Sequence, residues 1–258
     1  MKNEFKQYAI FLDIDGTLMG SDPQSLKANI DTIQKVRSLG HKVFISTGRA
    51  RSFLPERINV ARDFDGVCSG AGTIVTMGEK EIWKKLMPHN IVELFCRFSA
   101  ESGINSIIEG EKNLYYFGEN LVDRPGWIRL DNKTYNMVVT QEVPVEKFTV
   151  IGTIPKELYG ILEKDCIIVQ HKAYGEIIHK ECGKGKALVR TADYLGVPVE
   201  RTVAMGDSMN DFDMLEAAGI SVAMGNSIEE IKQIADFTTT DVNDAGVANA
   251  LIKIFNLK

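Results

Sequence analysis

A fully apolar run that ends in two closely spaced aspartates is the feature that most constrains this chain. Residues 8–12 read YAIFL, and the chain continues as DIDGTL, with Asp13 and Asp15. A short, unbroken apolar run is typical of a strand that is buried on both faces of a parallel sheet. Unpaired carboxylates are costly to bury, so they are normally hydrogen-bonded, paired or bound to a metal. Asp and Gly also suit a plain turn or a helix cap, and the rest of the chain must distinguish these cases.

The order of elements in the outer parts of the chain predicts the fold class. Strand patterns alternate with helix patterns; strands are predicted over 8–12, 41–46, 65–70, 201–207 and 221–225, and helices over 25–40, 183–197, 210–219, 227–235 and 246–255. This alternation is typical of an α/β protein with a doubly wound, Rossmann-like parallel sheet.

The middle of the chain follows a different pattern. A hairpin is predicted over 74–83, helices over 91–102 and 156–165, and strands over 104–109, 113–118, 135–140, 147–154, 166–170 and 174–179. Consecutive strands mixed with helices indicate an α+β arrangement with an antiparallel sheet. We therefore predict a discontinuous domain of residues 1–82 and 183–258, and an inserted α+β domain of residues 83–182.

Composition and charge exclude several classes of protein. The chain has 258 residues and a formal net charge of −5, which disfavours a nucleic-acid partner. No apolar run approaches the roughly 18 residues of a membrane helix, and the run before Asp13 is too short for a signal peptide. The four cysteines are scattered and form no C-x-x-C pair. We expect a cytoplasmic protein, a monomer or weak homodimer, that binds neither nucleic acid nor a membrane.

Four groups of polar residues follow predicted strands or begin predicted helices. They are Asp13 and Asp15; Thr47 and Gly48; Lys184; and Asp207, Asn210 and Asp211. In open α/β sheets the ligand site lies outside the carboxyl ends of the strands, so these groups are expected to converge. Carboxylates suit Mg²⁺, and a hydroxyl with free N–H groups at a helix start suits a phosphate. Each group alone also fits a solvated turn or a cap.

The turn after the first aspartates has two further features. Gly16 permits the chain to turn sharply, so Asp13 and Asp15 need not point the same way. Thr17 has a hydroxyl that can form a local hydrogen bond.

Four short motifs, in this order, resemble those of the haloacid dehalogenase superfamily: DIDGTL, STGR, KGKAL and GDSMND. The stretches AAGISVAMGNS, IKQIADFTTT and DAGVANAL resemble the end of its Cof-type phosphatases, also called HAD-IIB hydrolases. The middle block resembles the cap domain of that subfamily, which selects the substrate. The resemblance therefore covers both halves of the core and the insertion.

The resemblance implies a role for each aspartate. Asp13 would be the nucleophile that forms an aspartyl-phosphate, and Asp15 the general acid and then the general base. Mg²⁺ would be held by Asp13, by the main-chain carbonyl of Asp15 and by the side chain of Asp207. Asp211 would support the metal waters or Lys184.

The resemblance also implies a set of phosphate-binding residues: Thr47, Gly48, Lys184 and Asn210. Lys184 is chosen for the third motif because Gly185 and the residues after it fit the pattern, whereas Lys180 and Lys186 lie close by in the sequence. The family often has Asn-Gly-Ala after the third strand, where this chain has Ser69-Gly70-Ala71. The role of a side chain at Ser69 is therefore left open.

The resemblance implies a Mg²⁺-dependent phosphatase that acts on small phosphorylated metabolites, with sugar phosphates as the first candidates. A sugar phosphomutase would use the same core residues and is the nearest alternative. A non-catalytic phospho-acceptor, like a response-regulator receiver, is an alternative of another class, although the inserted domain and Asp15 argue against it. The fragment SGAGT at 69–73 is an incomplete dinucleotide-binding motif and is weak support for a nucleotide site.

Overall fold

The computed structural model describes residues 6–119 and 126–257. Residues 1–5, which open the N-terminal segment considered above, lie outside the described residues. Two compact units are present: the core unit, residues 1–48, 56–83 and 183–258, and the insert unit, residues 49–55 and 84–182. These bounds differ from the predicted domains at residues 49–55, which the prediction places in the core, and at Trp83, which it places in the insertion. No described helix is both long and apolar enough to cross a membrane.

Strands and helices cover most of the described chain. The strands are β1 (Ala9–Leu12), β2 (Lys42–Ser46), β3 (Gly66–Ser69), β4 (Ile74–Met77), β5 (Lys80–Lys84), β6 (Ser106–Gly110), β7 (Leu114–Phe117), β8 (Trp127–Arg129), β9 (Val145–Ile151), β10 (Cys166–Gln170), β11 (Tyr174–His179), β12 (Thr202–Gly206), β13 (Ile220–Ala223) and β14 (Phe237–Thr238). The α-helices are α1 (Pro23–Ser38), α2 (Val60–Asp63), α3 (His89–Ser102), α4 (Asn136–Thr140), α5 (Lys156–Leu162), α6 (Lys184–Leu195), α7 (Phe212–Ala217), α8 (Glu229–Ile234) and α9 (Gly246–Phe255).

The core unit is built on one sheet with the order β14-β13-β12-β1-β2-β3-β4-β5. The strands from β14 to β3 are parallel to their neighbours, and β4 runs antiparallel to β3. Strand β1 lies between β12 and β2, with Leu12 opposite Met205 and Ile45. All four residues of β1 are fully buried, as its unbroken apolar run predicts. Residues that follow β1 and β12 therefore emerge side by side at the middle of the sheet.

Helix ends in the core unit follow ordinary capping rules. The side chain of Asp22 accepts a hydrogen bond from the Ser25 N–H at the start of α1, and Pro23 occupies the first turn. Helix α6 ends at Leu195 and is followed by Gly196, whose φ of +65° is the left-handed conformation common at helix C-termini. These caps mark where α1 begins and where α6 ends.

The insert unit contains a second sheet with the order β10-β11-β9-β6-β7-β8. Its pairs are antiparallel except β7 with β8, so the antiparallel character is as predicted. Helices α3 and α5 contribute Phe95, Leu158 and other apolar side chains to one core, in which Phe95 stacks on Phe148 of β9 with ring centroids 4.0 Å apart. Helix and sheet thus share a single apolar layer in this unit.

The strand predicted over residues 135–140 is wrong, because this segment forms helix α4. A tight turn precedes it: the carboxylate of Asp131 accepts hydrogen bonds from the N–H groups of Lys133 and Thr134. Such a turn starts a helix, and the buried side chain of Val138 then packs into the apolar core. Strands β8 and β14, of three and two residues, were not predicted.

Candidate active site

The two aspartates after β1 lie in different surroundings. Asp13 is buried, with 4% of its surface exposed, whereas Asp15 is exposed. Between them the chain leaves the strand and turns, with the N–H of Leu18 donating back to the carbonyl of Asp13 over 3.2 Å. Gly16 adopts a φ of +82°, a conformation that favours glycine. The turn separates the two carboxylates that the sequence places one residue apart.

Lys184 contacts side chains that follow two different strands, Asp13 after β1 and Asp211 after β12. It is the first residue of α6, and its side chain is only 1% exposed. Its ammonium lies 2.7 Å from the carboxylate of Asp13 and 2.6 Å from that of Asp211, and it donates to Asn210 Oδ1 over 3.2 Å. Burial alone disfavours the charged ammonium, but the two carboxylates raise the pKa of Lys184 well above its usual value. The ammonium therefore stays charged in the buried site.

The neighbouring lysines have different positions. Lys180 and Lys186 are both exposed. Lys180 pairs with Asp165 in the insert unit, over 3.2 Å. Among the three lysines near the third motif, Lys184 alone contacts Asp13 in the described part of the chain.

The loop after β12 is organised by Asp211. Its carboxylate accepts hydrogen bonds from the N–H groups of Asp207 at 3.0 Å and Ser208 at 3.2 Å, while its other oxygen meets Lys184. Ser208 Oγ donates to Asn210 Oδ1 over 3.0 Å. Asp211 thus holds both the loop and the ammonium, and it brings Asn210 and Asp207 to the same sheet edge as Asp13.

The turn after Asp15 packs directly against Asp207. The hydroxyl of Thr17 donates to Asp207 Oδ1 over 3.2 Å. A Cβ atom at Gly16 would lie 2.4 Å from Asp207 Oδ2, closer than real atoms approach. The backbone next to Asp15 and the side chain of Asp207 are therefore immediate neighbours. No local pattern in the sequence signals the contact of Thr17, because its partner is 190 residues away.

Three of the carboxylates form a cluster that suits a divalent cation. One oxygen each from Asp13, Asp207 and Asp211 lie within 4.8 Å of one another. Burial, followed by the charge of Asp211, raises the pKa of Asp13 to about 8 and that of Asp207 to about 6. Lys184 supplies one positive charge to these three carboxylates, so it does not neutralise all of their negative charge when they are ionised. Hard oxygen ligands with unmet negative charge are the donor set that Mg²⁺ takes, so the residues fit that ion.

Thr47 and Gly48 follow β2, the strand beside β1. Thr47 is 1% exposed; its N–H donates to the carbonyl of Cys68, and its carbonyl accepts from the N–H of Ala71, both over 2.9 Å. Parallel pairing with β1 therefore places Thr47 at the same sheet edge as Asp13.

The loop after β3 has a distinctive backbone. Gly70, Ala71 and Gly72 have φ values of +56°, +54° and +86°. The carbonyl of Ser69 accepts hydrogen bonds from the N–H groups of Gly72 and Thr73, both over 2.9 Å. These main-chain contacts give Ser69 a part in shaping this loop.

Comparison with known proteins identifies the family. A family model described as haloacid dehalogenase-like hydrolase matches residues 10–251, which is nearly the whole chain. A 5-amino-6-(5-phospho-D-ribitylamino)uracil phosphatase, YitU of Bacillus subtilis, is 29% identical over 277 residues, covering 98% of this chain and all of that protein. Another relative, the phosphatase YwpJ of the same organism, is 27% identical, and the match covers 94% of this chain and 98% of YwpJ.

Solved structures agree with these matches. The HAD subclass IIB sugar phosphatase BT4131 superposes with a TM-score of 0.80 at 25% identity, over 97% of this chain and all of that one. The HAD phosphatase BT1666 of Bacteroides thetaiotaomicron gives a TM-score of 0.81 at 25% identity, over 100% of this chain and 98% of that one. The predicted superfamily, α/β fold class and phosphatase class of enzyme are thereby confirmed. The chain belongs to the haloacid dehalogenase-like hydrolases.

Proposed function

We propose that this chain hydrolyses small phosphate monoesters through an aspartyl-phosphate intermediate, with Mg²⁺ as its cofactor. One observation carries the proposal: the Lys184 ammonium lies between the carboxylates of Asp13 and Asp211, at 2.7 and 2.6 Å. A carboxylate that attacks a phosphomonoester dianion meets strong repulsion, and a buried cation beside it offsets that repulsion. A plain turn or helix cap would need no such cation.

In the first half of the reaction, Asp13 acts as the nucleophile. One of its oxygens forms a bond to phosphorus while the bond from phosphorus to the leaving oxygen breaks. Asp15 gives its proton to that oxygen, so the product departs as a neutral alcohol. The exposed position of Asp15 supports this role, because the proton donor must meet the leaving group, whereas Asp13 is buried beside a cation.

In the second half, a water molecule attacks phosphorus and Asp15 accepts its proton. The bond between phosphorus and Asp13 breaks, which frees inorganic phosphate and restores both aspartates. We propose that the phosphoryl oxygens are bound by the Thr47 hydroxyl, the main chain at Gly48 and the side chains of Lys184 and Asn210. The contact between Lys184 and Asn210 supports this assignment.

We assign the metal to Asp13, Asp207 and the main-chain carbonyl of Asp15. When bound, Mg²⁺ would neutralise negative charge on the phosphoryl oxygens. The close approach of Gly16 to Asp207 supports the assignment, because it brings the backbone beside Asp15 to that carboxylate. Asp211 acts as a supporting residue: its oxygens are occupied by Lys184 and by two N–H groups of the loop.

Small sugar or sugar-alcohol phosphates are the proposed substrates. Support comes from two relatives: BT4131 is a sugar phosphatase, and YitU acts on a compound whose phosphate is on a ribityl group. We assign substrate choice to the insert unit as the proposed cap. The three residues of the described acidic cluster, Asp13, Asp207 and Asp211, all belong to the core unit. The proposed phosphoryl chemistry therefore needs no acidic residue of the insert unit. The cytoplasmic location, the lack of a nucleic-acid partner and the monomeric or weakly dimeric state stay predictions.

The test is phosphate release from a panel of phosphorylated metabolites, measured as kcat/KM with Mg²⁺ and with EDTA. We expect turnover of at least one sugar or sugar-alcohol phosphate and its loss in EDTA. Asp13→Asn should lower kcat by at least about 1,000-fold while the circular dichroism spectrum stays unchanged. Near-normal turnover by this variant would overturn the nucleophile, and full activity in EDTA would overturn the metal.

The same panel distinguishes the two alternatives. A phosphomutase would convert a hexose phosphate to its isomer, which chromatography of the products detects. A receiver-like phospho-acceptor would take up one phosphoryl group per chain and release no further phosphate. Many moles of phosphate released per mole of protein, without an isomer, is the result that we expect.

A further inference from the structure

The loop after β13 carries an asparagine that the proposed chemistry does not use. Asn226 belongs to the stretch AMGNS, to which the sequence analysis gave no role. We propose that Asn226 is a positioning residue for Asp15, acting through the backbone of Gly16. The inference rests on the proposed role of Asp15 as the proton donor.

The side chain of Asn226 joins two loops of the core unit. Its Nδ2 donates to the carbonyl of Gly16 over 2.8 Å, and its Oδ1 accepts from the N–H of Val242 over 2.9 Å. Each partner requires the opposite end of the amide, since a carbonyl only accepts and an N–H only donates. The two contacts therefore fix the orientation of the Asn226 amide.

Gly16 is the residue through which this contact reaches Asp15. Its N–H donates to the carbonyl of Met19 over 3.2 Å and its carbonyl is held by Asn226, so both of its main-chain groups are engaged. Asp15 directly precedes Gly16, so a shift of the Gly16 carbonyl would move the backbone next to Asp15.

The far end of the same segment is held in the same way. Asn243 Oδ1 accepts from the N–H groups of Ser21 and Asp22 over 2.8 and 3.0 Å. Asn243 directly follows Val242, the second partner of Asn226, in one short 3₁₀ turn. Residues 16–22 are thus anchored at both ends to the same C-terminal turn. Loss of Asn226 would remove the contact at the end next to Asp15 and leave the contacts of Asn243 with Ser21 and Asp22 in place.

A displaced proton donor has a characteristic kinetic effect. A sugar alkoxide is a poor leaving group and needs the proton, whereas p-nitrophenolate leaves without one. Loss of Asn226 should therefore slow the formation of the aspartyl-phosphate from a sugar phosphate much more than from p-nitrophenyl phosphate. The second half, in which Asp15 is the base, is the same for both substrates, so the two rates are compared as kcat/KM, which reports the first half only. A general loss of stability or of phosphate binding would slow both substrates alike. The ratio of the two rates is thus a readout that a merely structural role would not move.

The experiment compares kcat/KM of Asn226→Ala for p-nitrophenyl phosphate and for the sugar phosphate that the unaltered protein hydrolyses fastest. We expect kcat/KM for the sugar phosphate to fall by about 10- to 100-fold and kcat/KM for p-nitrophenyl phosphate by less than about threefold. Asn226→Asp, which keeps the acceptor for Val242 and lacks the donor for Gly16, should show the same selective loss.

Asn249→Ala is the matched control. Asn249 Nδ2 donates to Thr240 Oγ1 and to the carbonyl of Asp244, over 2.8 and 3.0 Å, so it supports the same C-terminal loop without holding Gly16. This variant should leave the ratio of the two rates unchanged. Equal losses on both substrates, or no loss, in both Asn226 variants would overturn the inference.

Asp15→Asn separates this inference from the proposed function. If Asp15→Asn slows the sugar phosphate selectively and the Asn226 variants do not, the positioning role fails and the proton donor stands. If Asp15→Asn shows no preference between the substrates, the proposed proton donor fails and the inference falls with it. The expected result is a selective loss in both, larger for Asp15→Asn.

Discussion

The ammonium of Lys184 lies 2.7 Å from the carboxylate of Asp13, and both side chains are almost completely buried. The two residues come from a strand end and a helix start that are 171 positions apart. The same ammonium faces Asp211 at 2.6 Å, so one positive charge is shared between two buried carboxylates. This arrangement is less stable than a fully compensated one would be.

Lys184→Met should destabilise the protein strongly. The substitution keeps the apolar stem but leaves Asp13 and Asp211 buried without their cation, which typically costs about 3–5 kcal/mol. Urea unfolding monitored by circular dichroism measures the loss. Lys186→Met is the control, because this lysine is exposed on the same helix and its replacement should change stability by less than about 0.5 kcal/mol. Equal stability of the two variants would contradict the prediction.

Gly16→Ala should impair both stability and activity. The added methyl group would lie 2.4 Å from the Asp207 carboxylate, and alanine disfavours a φ of +82°. We expect a loss of about 1–3 kcal/mol and at least a tenfold lower kcat, roughly the effect of displacing one catalytic contact. Gly78→Ala is the control: its φ is +56° but no atom lies within 4 Å of its added methyl. Gly78→Ala should lose only about 1 kcal/mol and keep its kcat.

The stability of the metal-free protein should fall as the pH rises. The pKa of Asp13 is raised to about 8 and that of Asp207 to about 6, from an ordinary 3.8, chiefly by burial. The folded protein therefore binds more protons than the unfolded chain between about pH 4 and about pH 8. The stability from these carboxyl groups is complete below about pH 4 and is lost as the pH rises through that window.

Added Mg²⁺ should reverse this loss, because the metal binds the ionised carboxylates. We expect the increase in Tm on adding MgCl₂ to an EDTA-treated sample to be larger at about pH 8 than at about pH 5. Asp207→Asn should reduce the increase at both pH values. Scanning fluorimetry measures all of these. A metal-induced increase that does not depend on pH would refute the prediction.

Lys147→Met should destabilise the insert unit. Lys147 is 3% exposed and contacts the carboxylates of Glu109, at 3.6 Å, and Glu176. Burial alone disfavours the ammonium, but these carboxylates raise the pKa of Lys147 to about 12. Removing the cation leaves two buried carboxylates and should cost about 3–5 kcal/mol at neutral pH. The exposed Lys156→Met is the control, with a change below about 0.5 kcal/mol in urea unfolding.

The loss of stability that Lys147→Met causes should become smaller as the pH is lowered. Burial by itself would raise the pKa of Glu176, but Lys147 and His171 hold it at about 2, below its ordinary 4.5. In the unaltered protein the resulting stability is present above about pH 4.5 and is lost as the pH falls toward 2. Urea unfolding curves of the two proteins should therefore converge as the pH is lowered. A difference in the free energy of unfolding that does not change with pH would show that the carboxylates are not its cause.

Much of the core unit could be predicted from the sequence because its signals are local. The run YAIFL predicted β1, and the parallel arrangement then predicted that residues after neighbouring strands share one edge. Lys184 and Asp211 could be assigned to the candidate site from their motifs, and the resemblance offered support of Lys184 as one of two roles for Asp211; the structure shows that contact. The bonds of Thr17 and Asn226 could not be predicted, because their partners are distant in the sequence.

The insert unit was harder to predict because its signals are weak or long-range. Residues 135–140 form a short apolar run, and periodicity cannot separate helix from strand over so few residues. Residues 49–55 belong to the insert unit through bonds from Ala50 to Glu109 and from Arg51 to Glu146, which no local pattern reveals. Their membership depends on partners more than fifty residues away.

The position of β1 between β2 and β12 has a consequence for biosynthesis. Ala9 pairs with both Lys42 and Thr202, so one partner of the central strand is translated soon after it and the other much later. Until β12 leaves the ribosome, one hydrogen-bonding edge of β1 has no partner, and such long-range pairing is slow to form. Asp13 and Asp207 likewise meet only then. An unfinished chain that lacks β12 therefore carries the proposed nucleophile without Asp207, one of the proposed metal ligands, and we expect it to be inactive.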